Sequence, residues 1–446
     1  MSREMKDSGI GGIGQIPENW EICPMKTYFS FGKGLSITKS DLTDNGVSVL
    51  SYGQIHSRNN PKVSTPNFLL KKLPMEKAQK QSLTSVGDFI FADTSEDRNG
   101  CGNCNYIDKD GIYAGYHTII ARVNNCPHTK YFGYLFMTDA WRFQIRRELT
   151  EVKLYSVSQK VLKRANIVIP PETERISIVH FLDRKCTAID TAIEKTKKSI
   201  EKLEEYKKAV ITKAVTKGIN PNAKMKDSGV EWIGKIPEDW KIRPMKTYFS
   251  FGKGLSITKS DLTDNGVSIL SYGQIHSRNN PKASTPNFLL KKLPMEKAQK
   301  QSLTSVGDFI FADTSEDRDG CGNCNYIDKD GIYAGYHTII ARPNNFTHTK
   351  YFGYLFMTDA WRFQIRRELT EVKLYSVSQK VLKRANIVIP PENERVSIVA
   401  FLDRTCTAID NAIEKKKKAI EKWEEYKKSL IYYAVTGKID CRNEVI

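Results

Sequence analysis

A chain of 446 residues is long enough for two to four domains with cores of their own. At 40 % hydrophobic and 27 % charged it has the composition of a soluble protein, with no apolar run near the ~18 residues of a spanning helix and no apolar stretch of a secretory leader at its start. The formal charge of +18 is unusual and favours a polyanionic partner, most simply nucleic acid, with a membrane surface or mere solubility as other uses of the same charge. Nine cysteines, thinly spread and odd in number, fit free thiols in a cytoplasmic protein better than a disulfide framework.

The first stretch to weigh is GIGGIG at 9–14, which matches G-x-G-x-x-G by letter. No strand is predicted before it, and the matching stretch later in the chain reads GVEWIG, so it reads as a flexible N-terminal segment and not a dinucleotide loop. Short β-rich runs follow (VSVLSYG, GDFIFAD, YHTIIARV, ANIVIP), separated by the turn signals TDNG, SRNNPK, EDRNG and DKDG. WRFQIRRELTEV reads as a short helix among them. Residues 1–170 therefore form one compact domain of mixed strands and helices.

Within it, CGNC puts Cys101 and Cys104 twelve residues before His117, and His128 follows ten later. The set recurs as Cys321, Cys324, His337 and His348. A finger-type zinc site wants its second histidine three to five residues after the first, so no metal site is expected. Glu96 and Asp97 beside Arg98 read as a charged turn, without the nucleophile or metal that a catalytic pair needs.

After Pro170-Pro171 the period changes. Val179, Leu182, Cys186, Ile189, Ile193, Thr196, Ile200, Leu203, Lys207 and Val210 step by three and four, which is a heptad seam with two polar breaks. Glu172 suits the start of a helix and Gly218 its end. The first long helix is thus 171–218, followed by a second globular domain over 219–390, a second long helix over 391–437 and a tail over 438–446. The second seam runs through Val399, Leu402, Cys406, Ile409, Ile413, Lys416, Ile420, Trp423, Lys427 and Leu430. Each helix would be ~70 Å long and cannot bury its stripe alone.

The second half repeats the first. Residues 26–166 align with 246–386 without a gap, and only six pairs differ: Val49/Ile269, Val63/Ala283, Asn99/Asp319, Val123/Pro343, Cys126/Phe346 and Pro127/Thr347. Only about 20 residues join Gly218 to Trp240, too few for a long return linker, so the two helices are expected to pair antiparallel. The expected fold class is α+β: two globular mixed α/β heads separated by two antiparallel coiled-coil helices, in a pseudo-two-fold, circular arrangement made by internal duplication.

Two identical heads and a basic surface suit a two-fold polyanion, duplex DNA, read as two half-sites. The decapeptide SYGQIHSRNN, present at 51–60 and 271–280, carries the chemistry for it. Gln54, Asn59 and Asn60 are candidates for adenine, Arg58 for guanine, and Tyr52 or His56 for packing on sugar or base. Their counterparts are Gln274, Asn279, Asn280, Arg278, Tyr272 and His276. Lys33, Arg98 and Asn99 join them, with Lys253, Arg318 and Asp319 in the second copy; Lys160, Lys163 and Arg164, and Lys380, Lys383 and Arg384, are candidates for phosphates. If position 99/319 touches a base, the half-sites differ by one pair; if it is a turn residue, they match. Solvated turn residues remain the alternative for every one of these side chains.

MKDSGVEWIGKIPEDWKI before the second head, SVSQKVLKRANIVIPPENERVSIVAFLDR at its junction with the helix, and IDNAIEKKKKAIEKWEEYKKSLIYYAVTGKID along the helix each have a counterpart in the first half. This layout resembles the specificity (S) subunit of type I restriction–modification systems across essentially the whole chain. The resemblance implies that the heads are target recognition domains, each reading half of a bipartite DNA sequence. It implies that the helices set the unread gap and dock methylation (M) subunits, likewise two, with restriction (R) subunits as further partners. It also implies a chain without catalytic residues, serving an adenine methyltransferase and ATP-dependent endonuclease complex whose S-adenosylmethionine, ATP and Mg lie in partner subunits. In agreement, the sequence has neither a [DN]PP[YF] motif nor a phosphate loop. The heads of such subunits commonly differ; here they are nearly identical, and an inverted repeat is expected. A stand-alone architectural DNA-binding protein and a coiled-coil scaffold with ligand-binding heads are the other readings of the same layout.

Overall fold

The computed structural model describes residues 3–149, 154–278, 280–344, 346–369 and 374–442. They fall into two compact units, 1–196 with 417–446, and 197–416. Among the described residues the helices in chain order are α1 (Tyr52–His56), α2 (Lys130–Phe136), α3 (Asp139–Arg147), α4 (Gln159–Arg164), α5 (Glu172–Lys217), α6 (Tyr272–Ile275), α7 (Lys350–Phe356), α8 (Asp359–Arg367), α9 (Gln379–Arg384) and α10 (Glu392–Val435). None is long and apolar enough to cross a membrane.

In unit 1 the head is built on two small sheets. One has the strand order Cys104–Tyr106, Phe89–Ala92, Thr118–Val123, Phe29–Lys33 and is antiparallel throughout. The other runs Lys71–Leu73, Val47–Leu50, Ile112–Ala114, Leu83–Thr84, with one parallel pair, Ile112–Ala114 on Val47–Leu50. Phe89, Ile90 and Phe91 are all buried, because this strand has core on both faces. On one side Ile90 and Ile120 pack with Leu50, Ile55 and Ile112. On the other, Phe89 and Phe91 meet Phe136 edge-on, and α2 buries six of its seven residues. The strands expected from VSVLSYG, GDFIFAD, YHTIIARV and ANIVIP are all present, and WRFQIRRELTEV holds a helix that ends at Arg147; its residues 150–152 lie outside the described ones.

The GIGGIG segment is not a loose N-terminal stretch. Met5–Asp7 pairs antiparallel with Gln15–Pro17, and the glycines turn the chain between them, with Ile10 and Ile13 tucked into the core. No helix opens from it, so the glycines cradle no dinucleotide.

The helix α5 starts where the double proline and Glu172 put it and ends on Gly218 at φ +76°, a left-handed cap that suits glycine. It has 46 residues and α10 has 44; α10 ends just before Gly437 at φ +72°. In unit 1 the first half of α5 packs on the last part of α10: Leu182, Cys186, Ile189 and Ile193 share a core with Leu430, Ile431, Ala434 and Val435, and Ile420 packs against it. Lys427 donates to both carboxylate oxygens of Asp190, at 2.7 and 2.6 Å. In unit 2 Lys207 does the same to Asp410, at 2.7 Å to each. Residue 190 facing 427 and 207 facing 410 is antiparallel pairing inside each unit. Two of the lysines that interrupt the heptad pattern, Lys207 and Lys427, thus reach an aspartate on the facing helix, a polar contact that specifies register. Ile200 and Leu203 are half-buried in the seam, and Leu402, Ile409 and Ile413 are buried. Trp423 departs from its heptad position: it is 41 % exposed and touches Tyr426 edge-on, because the seam there is carried by the neighbouring Ile420 and Lys427.

Each head grips its helices through one tryptophan. Trp20 is 1 % exposed, and its indole N–H donates 3.0 Å to Glu174 in the first turn of α5; Asn19 and Arg3 bind the same carboxylate. Across the ring, a Cβ on Gly437 would come within 2.4 Å of Pro17 and 3.1 Å of Trp20, so only glycine lets the end of α10 seat there. In unit 2, Trp240 donates 2.9 Å to Glu394 at the start of α10, and Gly218, at the end of α5, lies on its ring. Tyr131 adds a second clasp, donating to the carbonyls of Val168 (3.1 Å) and Val435 (2.9 Å); Tyr351 donates to Val215 at 2.8 Å.

Unit 2 repeats this plan. Its antiparallel sheet runs Phe249–Lys253, Thr338–Pro343, Phe309–Ala312, Cys324–Tyr326, and the second sheet keeps three strands, the fourth reduced to the bridge Leu303–Tyr333.

Replacing Glu174 with alanine leaves the buried Trp20 indole and Arg3 without their acceptor, and is expected to destabilise unit 1 by ~1–3 kcal/mol in urea unfolding, while Glu394→Ala acts on unit 2. Reversing Lys427 to aspartate weakens the helix pairing, and adding Asp190→Lys restores most of the loss; the pair is partly exposed, so the coupling in a double-mutant cycle is about 0.5 kcal/mol.

Candidate nucleic-acid interface

The decapeptide is a short helix and the loop after it, and much of its polar chemistry is spent on holding that shape. Ser51 caps α1, and the Gln54 side chain reaches back to accept the Ser51 N–H at 3.0 Å; Gln274 does so for Ser271 at 2.9 Å. Asn60 is buried, and its amide donates to the Gln54 and Ile55 carbonyls, each at 3.1 Å, and exchanges hydrogen bonds with Asn105. Asn280 holds Ile275 and Asn325 in the same way. His56 bridges the Thr94 carbonyl (2.8 Å) and Asn103 (3.1 Å), and burial holds its pKa down; His276 bridges Thr314 and Asn323. Asn60, His56, Asn280 and His276 are therefore braces of the loop, since a base edge cannot take donors and acceptors already in use, and Gln54 and Gln274 spend their amide oxygens in the same way. Lys62, which the sequence reading passed over, completes the brace: burial pushes its amine down to about 8, and it donates to the Ile55 carbonyl at the end of α1.

What this scaffold presents is Arg58 and Asn59 in unit 1 and Arg278 in unit 2, all exposed at the loop tip. Asn279 lies outside the described residues. Arg98 is exposed beside Arg146, whose carbonyl it reaches at 3.5 Å, and Arg318 repeats this at 3.4 Å. Asn99 and Asp319 are both exposed, and Asp319 forms an ion pair with Arg366 at 3.3 Å.

Next to α1 each head opens a groove of about 620 Å³ in unit 1 and 590 Å³ in unit 2. Lys33 and Lys160, 127 residues apart in sequence, line it together with Asp93, Tyr116, His117 and Gln159; Lys253 and Lys380 line its twin. Gly34 makes the floor. A Cβ there would sit 2.1 Å from the Gly115 carbonyl, so the strand can pass only as glycine. Tyr52 meets Tyr116 and His117 edge-on at 5.6 and 5.4 Å, and Tyr272 meets Tyr336 and His337 likewise. His117 has φ +54° and approaches Asp93 at 3.3 Å. Beside the groove, α4 carries Lys163, over the Phe31 ring at 5.7 Å, and Arg164, paired with Glu148 at 3.5 Å; Lys383 and Arg384 repeat both contacts.

The arrangement offers cations to a phosphate backbone at the groove and aromatic edges beside it. Tyr116 escaped the sequence reading, and His117 was weighed there only as a metal ligand; the recurrence of rings in SYG and GYH was the signal for a ring cluster. Cys104 shares no site with His117: its thiol is fully buried and pushed up to about 12, and among the described residues no three His, Cys, Asp or Glu side chains gather as a metal site.

A family model described as the type I restriction modification DNA specificity domain matches residues 17–205 and again 237–422. The chain is 27 % identical over 348 residues, 76 % of either length, to the type I restriction enzyme MjaVIII specificity subunit of Methanocaldococcus jannaschii. It is 24 % identical over 446 residues, 96 % of this chain and 95 % of the relative, to the putative type I restriction enzyme MjaX specificity subunit of the same organism. Among solved structures, a chain from "Structural basis underlying complex assembly and conformational transition of the type I R-M system" superposes with a TM-score of 0.70 at 14 % identity, covering 95 % of this chain and 99 % of the other. The HsdS subunit from Thermoanaerobacter tengcongensis superposes at 0.52 with 15 % identity, covering 95 % and 98 %. At such identities these two likenesses speak for the fold alone. With the family model matched twice, once over each head and the helix that follows it, the chain belongs to the family of type I restriction–modification DNA specificity proteins.

Proposed function

We propose that this chain selects the DNA target of a type I restriction–modification complex by reading two half-sites, one with each head. The observation that carries the reading is the duplicated groove: each unit sets a lysine pair, Lys33 with Lys160 or Lys253 with Lys380, beside the same ring cluster and the same braced arginine loop. In this reading the lysines and the α4 cations hold phosphates, which fix position without reading sequence, and Arg58 and Asn59, with Arg278, meet base edges. Tyr52 and Tyr272 support the groove wall.

Among the candidate DNA-contacting residues the two heads differ only at Asn99/Asp319, which supports a target made of two equal halves. Antiparallel helix pairing in each unit supports their arrangement as an inverted repeat around an unread gap. A helix of ~70 Å bounds that gap at about 20 base pairs. The exposed outer faces of the helices are the docking surface for two M subunits, and an R subunit joins through them. Adenine methylation and ATP-dependent cleavage, with S-adenosylmethionine, ATP and Mg, belong to those partners. The chain itself acts as a non-catalytic recognition subunit in the cytoplasm.

Expressed with its M subunit in a methylation-free host, the chain should direct adenine methylation to a gapped inverted repeat, read by single-molecule sequencing. Methylation absent while the purified chain alone binds one DNA site tightly would favour an architectural DNA-binding protein. Alanine at both Lys33 and Lys160 should weaken binding to all sequences and lower the slope of log K against log salt by about 2, whereas Arg58→Ala should relax preference at one base position at a cost of ~1–3 kcal/mol.

A further inference from the structure

The two copies are nearly the same except at a few positions, and several of those converge on one place in unit 1. Between α3, the glycine turn of the N-terminal hairpin and the end of α10 lies a cavity of about 530 Å³, within the size range of small-molecule sites. Gly12 opens one wall where the second copy has Trp232, whose ring packs on the core of unit 2. Tyr432 and Tyr433 form another wall where α5 has Thr212 and Lys213. The Tyr432 hydroxyl donates to the Gly12 and Ile13 carbonyls at 3.0 Å each and so locks helix and turn together. Phe143 and Tyr433 keep 45 % of their surface exposed.

The cavity is also cationic. Arg142, Arg146 and Lys428 line it, with one carboxylate, Asp139, at 3.7 Å from Arg142 and 3.9 Å from Arg146. In unit 2 the matching pair has two carboxylates, Asp359 at 3.6 Å from Arg362 and Asp319 at 3.3 Å from Arg366; in unit 1 the position of Asp319 is the neutral Asn99. The backbone carbonyl of that residue takes an arginine N–H in both units, 3.2 Å from Arg146 and 3.0 Å from Arg366. Two guanidiniums one helical turn apart repel each other, and an anion between them relieves the repulsion. So the substitutions that distinguish unit 1 open space, add rings and leave positive charge in the same pocket.

We propose that this pocket is a binding site for a small anion carrying a flat ring, a nucleoside monophosphate by class. The guanidiniums of Arg142 and Arg146 take the phosphate, for which their planar forks are suited, and the base lies against Phe143 and Tyr433. The site belongs to unit 1 alone and is separate from the groove at Lys33 and Lys160.

The test is calorimetric titration of the DNA-free full chain with AMP, adenosine and inorganic phosphate. One AMP per chain is expected, with adenosine and phosphate each weaker by about tenfold or more, since each lacks one half of the contacts. Arg146→Met should weaken AMP by about tenfold, and Asn99→Asp, which copies the residue already accommodated at 319, should weaken it several-fold by giving Arg146 a carboxylate. Two AMP per chain, no AMP binding, phosphate binding as tightly as AMP, or AMP affinity untouched by both substitutions would each overturn the site.

Discussion

A carboxylate in the first turn of each long helix, held by a buried indole, is the contact on which the rest of this protein depends. Glu174 on Trp20 and Glu394 on Trp240 join a head to the helix that leaves it. Against each ring also lies the glycine that ends the other long helix: a Cβ would clash with Pro17 at Gly437 and crowd Trp240 at Gly218. One tryptophan therefore fixes two helices and a head at once. This gives a physical reason for three short motifs that look unrelated in sequence: the I-P-E-x-W before each head, the P-P-E-x-E after it, and the glycine beyond each helix.

From that clamp the seam can work as a measured element. The helices pair antiparallel within each unit, and Lys207 and Lys427, at polar breaks of the heptad pattern, reach aspartates on the facing helix. A purely apolar stripe would tolerate sliding by a heptad; a charge that finds its partner at one register does not. Such a contact contributes specification of register more than raw stability.

The heads show a second economy. Their decapeptide is rich in amides and a histidine, yet Gln54 and Asn60 satisfy backbone groups of the loop that displays Arg58 and Asn59, and His56 ties it to the Thr94 carbonyl. Rigid presentation of a few exposed side chains suits recognition, because a loop already ordered loses little conformational freedom on binding. The differences between copies fall away from this loop, and the densest group of them lies where α10 returns to the first head.

The duplication, the strands, the helix limits and nearly all of the seam were legible in the sequence, because each rests on local signals: letter-for-letter repetition, alternation, proline before and glycine after a heptad run. The family was legible for the same reason, from the order of those signals along the chain. Which polar residues face outward was not. Asn60 and Arg58 are both polar and two residues apart, and only the neighbours brought in by folding, Asn105 from a distant strand among them, separate a buried brace from an exposed side chain. Lys33 and Lys160 share a groove for the same reason, and Trp423 leaves the seam because the facing helix, not its own heptad, decides which positions are covered. Periodicity is a property of one segment, whereas burial and hydrogen-bond partnership are properties of contacts between segments, and those exist only in the tertiary structure.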